Sequence, residues 1–306
     1  MKKTQLFFIV LLPLAMAITS CGNQAGAGQS DTLQDSATTG GIADNVDTVG
    51  TMLSSTSHKL APELYVGMFE ASDAPEAKKY YYKNKISVSI DSIGGGKLKG
   101  HSVVAGNNRP FEGAYEEKNG TYIITAKEPG DDKYDGVFSF TLFPDKSLLE
   151  GTWEANNKKL EVVKRSYSLT TSVFRYDANT PLNPDLIGSM LEDWTTISKL
   201  EEEPGSFEAI TPDAIKINAS MFKLKKEDVE NMYKGDLEIM RNAIYARHGY
   251  SFKNKRMRYI FDTSVDWYIP VTTDVRNELT DLEKENIALI KRYEEHAGKY
   301  YDSYGR

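Results

Sequence analysis

The chain has 306 residues, with 37 Lys and Arg against 44 Asp and Glu, a formal net charge of −7 and a single cysteine. The acidic balance excludes the basic footprint that a nucleic-acid-binding surface needs. One cysteine excludes an intramolecular disulfide framework and a thiolate-built metal site.

Lys2 and Lys3 precede an apolar run from Leu6 to Ile18, then small residues lead to Cys21. A membrane-spanning helix needs roughly 20 apolar residues, so this shorter run has the layout of a cleaved signal peptide. Ile18-Thr19-Ser20-Cys21 resembles the bacterial lipobox, in which signal peptidase cuts before a cysteine that takes up lipid chains. The resemblance implies that residues 1–20 are lost and that Cys21 is the lipidation site. It also implies an address in the outer membrane or cell envelope, facing the periplasm or the cell surface. Palmitate-length chains anchor firmly, since each buried methylene contributes about 0.8 kcal/mol. Removing Lys2 and Lys3 with no acid takes the net charge from −7 to −9.

Residues 21–57 hold no Lys or Arg and almost no large apolar side chain, a composition that cannot bury enough surface to order itself. They are expected to form a flexible tether spanning roughly 35 Å on average. Asp31-Thr32-Leu33, Asp35-Ser36-Ala37 and Asp47-Thr48-Val49 resemble the Asp-Ser/Thr-apolar acceptor for O-glycans in Bacteroidetes, which makes Thr32, Ser36 and Thr48 candidate modification sites. Asp91-Ser92-Ile93 is a further match.

Residues 58–176 alternate apolar and polar with period two, broken by Gly and Asn at turn spacing. Tyr134, Gly136, Phe138, Phe140 and Leu142 are expected on one strand face, and Leu149, Gly151, Trp153 and Ala155 on that of the next. Phe111-Glu112-Gly113-Ala114-Tyr115, Tyr134-Asp135-Gly136-Val137-Phe138 and Leu149-Glu150-Gly151-Thr152-Trp153 form a loose internal repeat. A glycine inside a strand permits close backbone approach. An antiparallel β-meander or small up-and-down barrel of about eight or nine strands is predicted, because closure removes exposed edges.

Residues 177–210 form an acidic connection that includes Glu201-Glu202-Glu203-Pro204-Gly205, with a short helix expected over Asp185–Trp194. From residue 211 to 306 the period becomes helical, giving an α+β chain with a small C-terminal α-helical domain. Helices are predicted over Lys226–Tyr233, Asp236–His248, Asn254–Phe261 and Asp281–Ala297. Thr280 and Glu283 make a capping box for the last. Gly249 suits the left-handed residue that ends the second.

Tyr245-Ala246-Arg247-His248-Gly249 stands intact in this stretch, followed by Tyr259, Phe261, Trp267-Tyr268-Ile269-Pro270, Leu282, Glu283 and Asn286-Ile287. The pattern closely resembles the YARHG domain, a small extracytoplasmic module of bacterial proteins. It departs at Ala243, where members often carry an acid. The resemblance brings a fold but no activity, so the residues are read physically.

At 100° per residue, His248 falls within about 20° of Leu237 and Arg241 within about 40°, so His248 faces the core. One reading is a packed histidine that shares hydrogen bonds and seats the Trp267-Tyr268 loop. The other is an Arg241–His248 pair presented to a ligand under aromatic cover, with Tyr245, Arg247, Tyr250, Trp267 and Tyr268 as further candidate binding residues. Arg247 is more lateral, placed to meet solvent or an acid on another helix.

The histidines at 58, 101, 248 and 296 have no metal-ligand spacing. Asp131–Gly136 lacks the ligands of a calcium loop and reads as a hairpin turn. Ser220-Met221-Phe222-Lys223 lacks the companion motifs of Ser-x-x-Lys enzymes, and Gly94-Gly95-Gly96 reads as a turn. Lys253, Lys255, Arg256 and Arg258 lie near Tyr250, Phe252 and Tyr259; in a domain of 17 basic and 16 acidic residues they read first as a solvated helix face, and otherwise as a mixture able to hold anionic polymer or glycan. The expectation is an envelope lipoprotein acting by non-catalytic binding, with no cofactor, whose partner is a cell-wall polymer, a glycan or an envelope protein. Two alternatives stand beside it. One is a lipocalin-like carrier with Phe111, Tyr115, Phe138, Phe140 and Trp153 around an apolar ligand, and the other is an enzyme using Arg241 and His248.

Overall fold

The computed structural model describes residues 63–73, 82–184 and 210–300. The expected signal peptide, the candidate lipidation site Cys21, the expected tether with Thr32, Ser36 and Thr48, and the helix expected over Asp185–Trp194 lie outside the described residues.

Eight strands follow one another: β1 (Glu63–Ala71), β2 (Lys83–Gly94), β3 (Lys97–Val104), β4 (Asn107–Lys118), β5 (Thr121–Lys127), β6 (Gly136–Phe143), β7 (Leu148–Ala155) and β8 (Lys164–Ser172). Each pairs antiparallel with the next, and β1 pairs with β8 from Leu64↔Ser172 to Ala71↔Arg165, which closes an up-and-down barrel. Two-residue turns at Gly95-Gly96, Ala105-Gly106 and Asn119-Gly120 have positive φ at both positions. Turns of that hand match the twist of the strands they join.

The barrel closes because glycine stands where neighbouring backbones press together. A Cβ at Gly113 would lie 2.2 Å from the Thr125 carbonyl, and one at Gly151 would lie 2.2 Å from that of Ser139. The repeat read from the sequence is therefore a packing device, as its glycines suggested.

Inward residues at the barrel centre are apolar and tightly packed, while Asn84 and Ser102 turn inward at one end. Phe111 lies 5.3 Å from Phe138 between ring centroids, Phe138 lies 6.0 Å from Tyr167, and Phe69 lies 5.8 Å from Trp153. Outward positions of β7 and β8 are Glu150, Thr152, Glu154, Ser166, Ser168 and Thr170. A barrel that spans a bilayer turns apolar side chains outward, whereas β7 and β8 turn polar ones outward.

Tyr134 departs from expectation. It precedes β6 and is 47% exposed, whereas Phe138, Phe140 and Leu142 are buried. The reason is Asp135, whose carboxylate accepts from the amides of Gly130 and Asp132 and pairs with Arg109 at 3.1 Å, making residues 130–135 a closed turn.

The helical part comprises α1 (Asp213–Lys216), α2 (Lys226–Val229), α3 (Lys234–Arg247), α4 (Lys255–Ser264) and α5 (Asp281–Tyr300). On α3, Leu237, Met240 and Ile244 pack with Ile287 and Ile290 of α5, while Ile239, Ala243 and Ala246 pack with Ile260 and Phe261 of α4. A two-sided apolar helix belongs at the centre of a small bundle. The chain is thus α+β, a barrel followed by a helical module. The module rests on one barrel end. Lys85 Nζ of β2 donates to the Val265 carbonyl at 2.9 Å, and the Gly106 amide donates to Ser251 Oγ at 2.9 Å.

Candidate functional site

Gly249 sets the geometry of the site. Its φ of +72° ends α3 and leaves His248 as the cap residue, turned inward. His248 Nε2 lies 2.8 Å from Glu283 Oε2, and both side chains are buried. Glu283 also accepts from the Thr280 amide at 3.0 Å, while its own amide donates to Thr280 Oγ1 at 3.2 Å. This is the expected capping box, and its carboxylate has acquired a histidine. Burial alone would raise the Glu283 carboxyl, but hydrogen bonds from His248, Thr280 and Ser220 hold it down at about 2.

The chain leaving β8 crosses this site. The Phe174 ring lies over Gly249, so close that a Cβ there would sit 2.9 Å from it. Tyr176 stacks on His248 at 4.2 Å between centroids and donates to Glu283 Oε1 at 3.1 Å. Further along, Asn218 Nδ2 donates to the Ala178 carbonyl at 2.7 Å, Arg247 Nε to that of Thr180 at 2.9 Å, and Trp267 Nε1 to that of Pro181 at 2.9 Å. Leu182 ends the segment, buried in the core that holds Phe252 and Tyr268.

Three of the residues singled out from the sequence, Arg247, His248 and Trp267, therefore meet on one surface. Arg247 is buried and not lateral, because the segment lies over it, and burial lowers its guanidinium to about 10. Arg241 and His248 have separate partners. Arg241 Nε pairs with Glu294 at 2.7 Å, and its guanidinium lies over the Tyr245 ring. Tyr268 is fully buried, with its hydroxyl on the Tyr250 carbonyl at 2.8 Å, and Tyr250 packs edge-on against Phe252. Sequence reasoning missed Asn218 and Tyr176. The alternation Phe174-Arg175-Tyr176 after the last strand is the signal that points to the second.

A second feature lies at the barrel end where the module rests. A cavity of about 640 Å³ is bounded by Phe69, Phe138 and Trp153 of the barrel wall and by Tyr82, Tyr134 and Leu160 at the rim. Arg109 and Arg165 of the barrel and Lys253, Lys255 and Arg258 of the module also line it, against the carboxylates of Glu128 and Glu161. Of the basic cluster noted in the sequence, Arg256 turns away to Glu238. Glu128 accepts from the Gly136 amide at 2.7 Å and from Trp153 Nε1 at 3.0 Å, and burial raises its carboxyl to about 7. Arg165 Nη1 is held on the Phe69 carbonyl at 3.0 Å.

Fold and site define a closed antiparallel barrel joined to a helical module built on a buried His–Glu pair. Residues 214–295 match the family model of the YARHG domain, and the chain is a YARHG domain-containing protein. No curated protein and no solved structure matches it.

Proposed function

We propose that this chain is a membrane-tethered envelope lipoprotein that works by binding without catalysis, and that its ligand is an anionic glycan or cell-wall polymer segment. The signal layout, Cys21 and the run free of Lys and Arg after it support the address. The carrying observation for binding is the junction cavity, where Arg165, Lys253, Lys255 and Arg258 stand with Arg109, itself paired with Asp135, and the carboxylates of Glu128 and Glu161 beside an aromatic floor, so that both parts of the chain contribute. A concave, partly desolvated wall focuses such charges on an anion more than a flat surface does. Arg241 and His248, the pair an enzyme would need, are committed to Glu294 and Glu283. The rings of Phe69, Phe111 and Phe138 fill the barrel centre, which favours a ligand at the mouth over a lipocalin-like cargo inside.

Calorimetry with the chain lacking residues 1–20 and carrying Cys21→Ser tests this. An acidic oligosaccharide, a uronic-acid hexamer, should bind, and a neutral hexamer of the same length should not. Lys253→Glu together with Lys255→Glu should weaken binding at least about tenfold, since each lost charged contact is worth roughly 1 kcal/mol or more. Equal binding of both hexamers, or none by a panel of acidic cell-wall fragments, would sink the proposal.

A further inference from the structure

The helical module holds residues 174–182 as a receptor holds a ligand. Three side-chain donors from separate parts of the module, Asn218, Arg247 and Trp267, converge on three main-chain carbonyls, those of Ala178, Thr180 and Pro181. Carbonyl groups are present in any peptide, so these contacts hold a backbone without demanding a sequence. Selectivity comes from the side chains at either end: Phe174 over Gly249, Tyr176 stacked on His248 with its hydroxyl on Glu283, and Leu182 in an apolar socket. The segment bends at Asp177, whose carboxylate accepts from the Asn179 amide at 2.8 Å, so the bound shape is set partly by the segment itself. No strand of the segment pairs with the module among the described residues.

The division of labour within the motif is the decisive point. Arg247, His248 and Gly249, three consecutive residues of Tyr-Ala-Arg-His-Gly, each touch a different residue of the segment: Thr180, Tyr176 and Phe174. Burying a guanidinium costs free energy unless it is fully hydrogen-bonded, and here a carbonyl of the segment supplies the acceptor. Arg247 divides its donors, with Nε on the Thr180 carbonyl of the segment at 2.9 Å and Nη1 on Ser220 Oγ of the module at 3.4 Å, so the segment supplies its shorter contact.

We propose that the YARHG module is a peptide-binding module whose groove, formed by Asn218, Arg247, His248, Gly249 and Trp267, is filled in cis by residues 174–182. The peptide it recognises carries two aromatic residues separated by one, followed by a bend and a Pro-Leu pair. The inference is independent of the junction cavity, which uses none of these five residues.

The test uses the full chain with protease sites inserted after Ser172 and between Pro204 and Gly205, cut after folding so that the segment becomes a separate peptide. The peptide should remain with the protein through size-exclusion chromatography at micromolar concentration. An excess of synthetic peptide spanning residues 173–184 should displace it, and one with Phe174→Ser and Tyr176→Ser should not. Introducing Arg247→Met, which keeps the stem and removes the donors, should weaken retention at least about tenfold, the loss expected for one hydrogen bond to a charged group. Once emptied, the protein should keep its helical circular dichroism. Loss of the peptide on the column overturns the proposal. Loss of the helical signal on emptying overturns it as well, because the segment is then part of the module's core and not its ligand.

Discussion

Replacing His248 with alanine removes two things that the structure lets us weigh. The first is the hydrogen bond to Glu283 at 2.8 Å, made between side chains that are 5% and 0% exposed. A hydrogen bond to a charged group contributes about 1.5–3 kcal/mol. The second is the stack with Tyr176 at 4.2 Å, worth about 0.5–1.5 kcal/mol for an aromatic pair. Their sum is partly offset because Glu283 keeps Thr280 and Tyr176 as donors, so the expected cost is about 2–4 kcal/mol. Lys223→Ala is the control, since its pair with Glu285 is 72% and 59% exposed and should cost no more than about 1 kcal/mol. Urea unfolding of the full chain, followed at 222 nm where the helical module dominates the signal, measures both. A cost for His248→Ala no greater than that for Lys223→Ala would refute the structural role given to the His248–Glu283 pair.

Gly249→Ala should cost at least about 1–2 kcal/mol, the penalty for a left-handed non-glycine residue. Its Cβ would also meet Val271 at 2.4 Å and Phe174 at 2.9 Å, and the same urea titration checks it. Gly151→Ala puts a Cβ 2.2 Å from the Ser139 carbonyl and should lower the barrel's melting temperature, read by near-ultraviolet dichroism, by several degrees. Asp262, fully buried beside Lys85, has its carboxyl raised to about 7, chiefly by burial. The native state then binds that proton more tightly than the unfolded chain, so stability is full below about pH 4 and falls as pH rises towards 7. Glu128 acts in the same direction. Asp262→Asn should flatten the slope of unfolding free energy between about pH 4 and 7, and an unchanged slope would refute the assignment. Glu283, depressed to about 2 in the fold, works oppositely: its contribution is present above the unfolded value near 4.5 and is lost as pH falls through 2. Acid titration of the Glu283→Gln variant should show a weaker loss of stability in that window.

Much of this was legible along the chain. Alternation from Phe138 to Leu142 and from Leu149 to Ala155 marked strands, because a half-buried strand must alternate. Gly113, Gly136 and Gly151 marked the tight places of a closed sheet. Thr280 and Glu283 marked a helix start, and Gly249 a helix end. Errors arose where a distant partner decided the outcome. Tyr134 fits the strand pattern, yet Asp135 ties its stretch into a turn through Arg109. Lys226–Tyr233 has helical spacing, yet the α-helix stops at Val229.

The sequence by itself determined the α+β order, the strand faces, the helix ends and the YARHG motif, because each depends on residues within a few positions of one another. Tertiary structure decided what those residues do. Arg247 reaches Thr180 across 67 positions, His248 reaches Glu283 across 35, and Tyr176 reaches Glu283 across 107. No periodicity spans such distances. The same holds for the junction cavity, where Lys253 and Lys255 come to Phe138 and Trp153 only because the module sits on the barrel end. Local preference sets which elements form, and the burial of their apolar faces against one another sets which distant side chains meet.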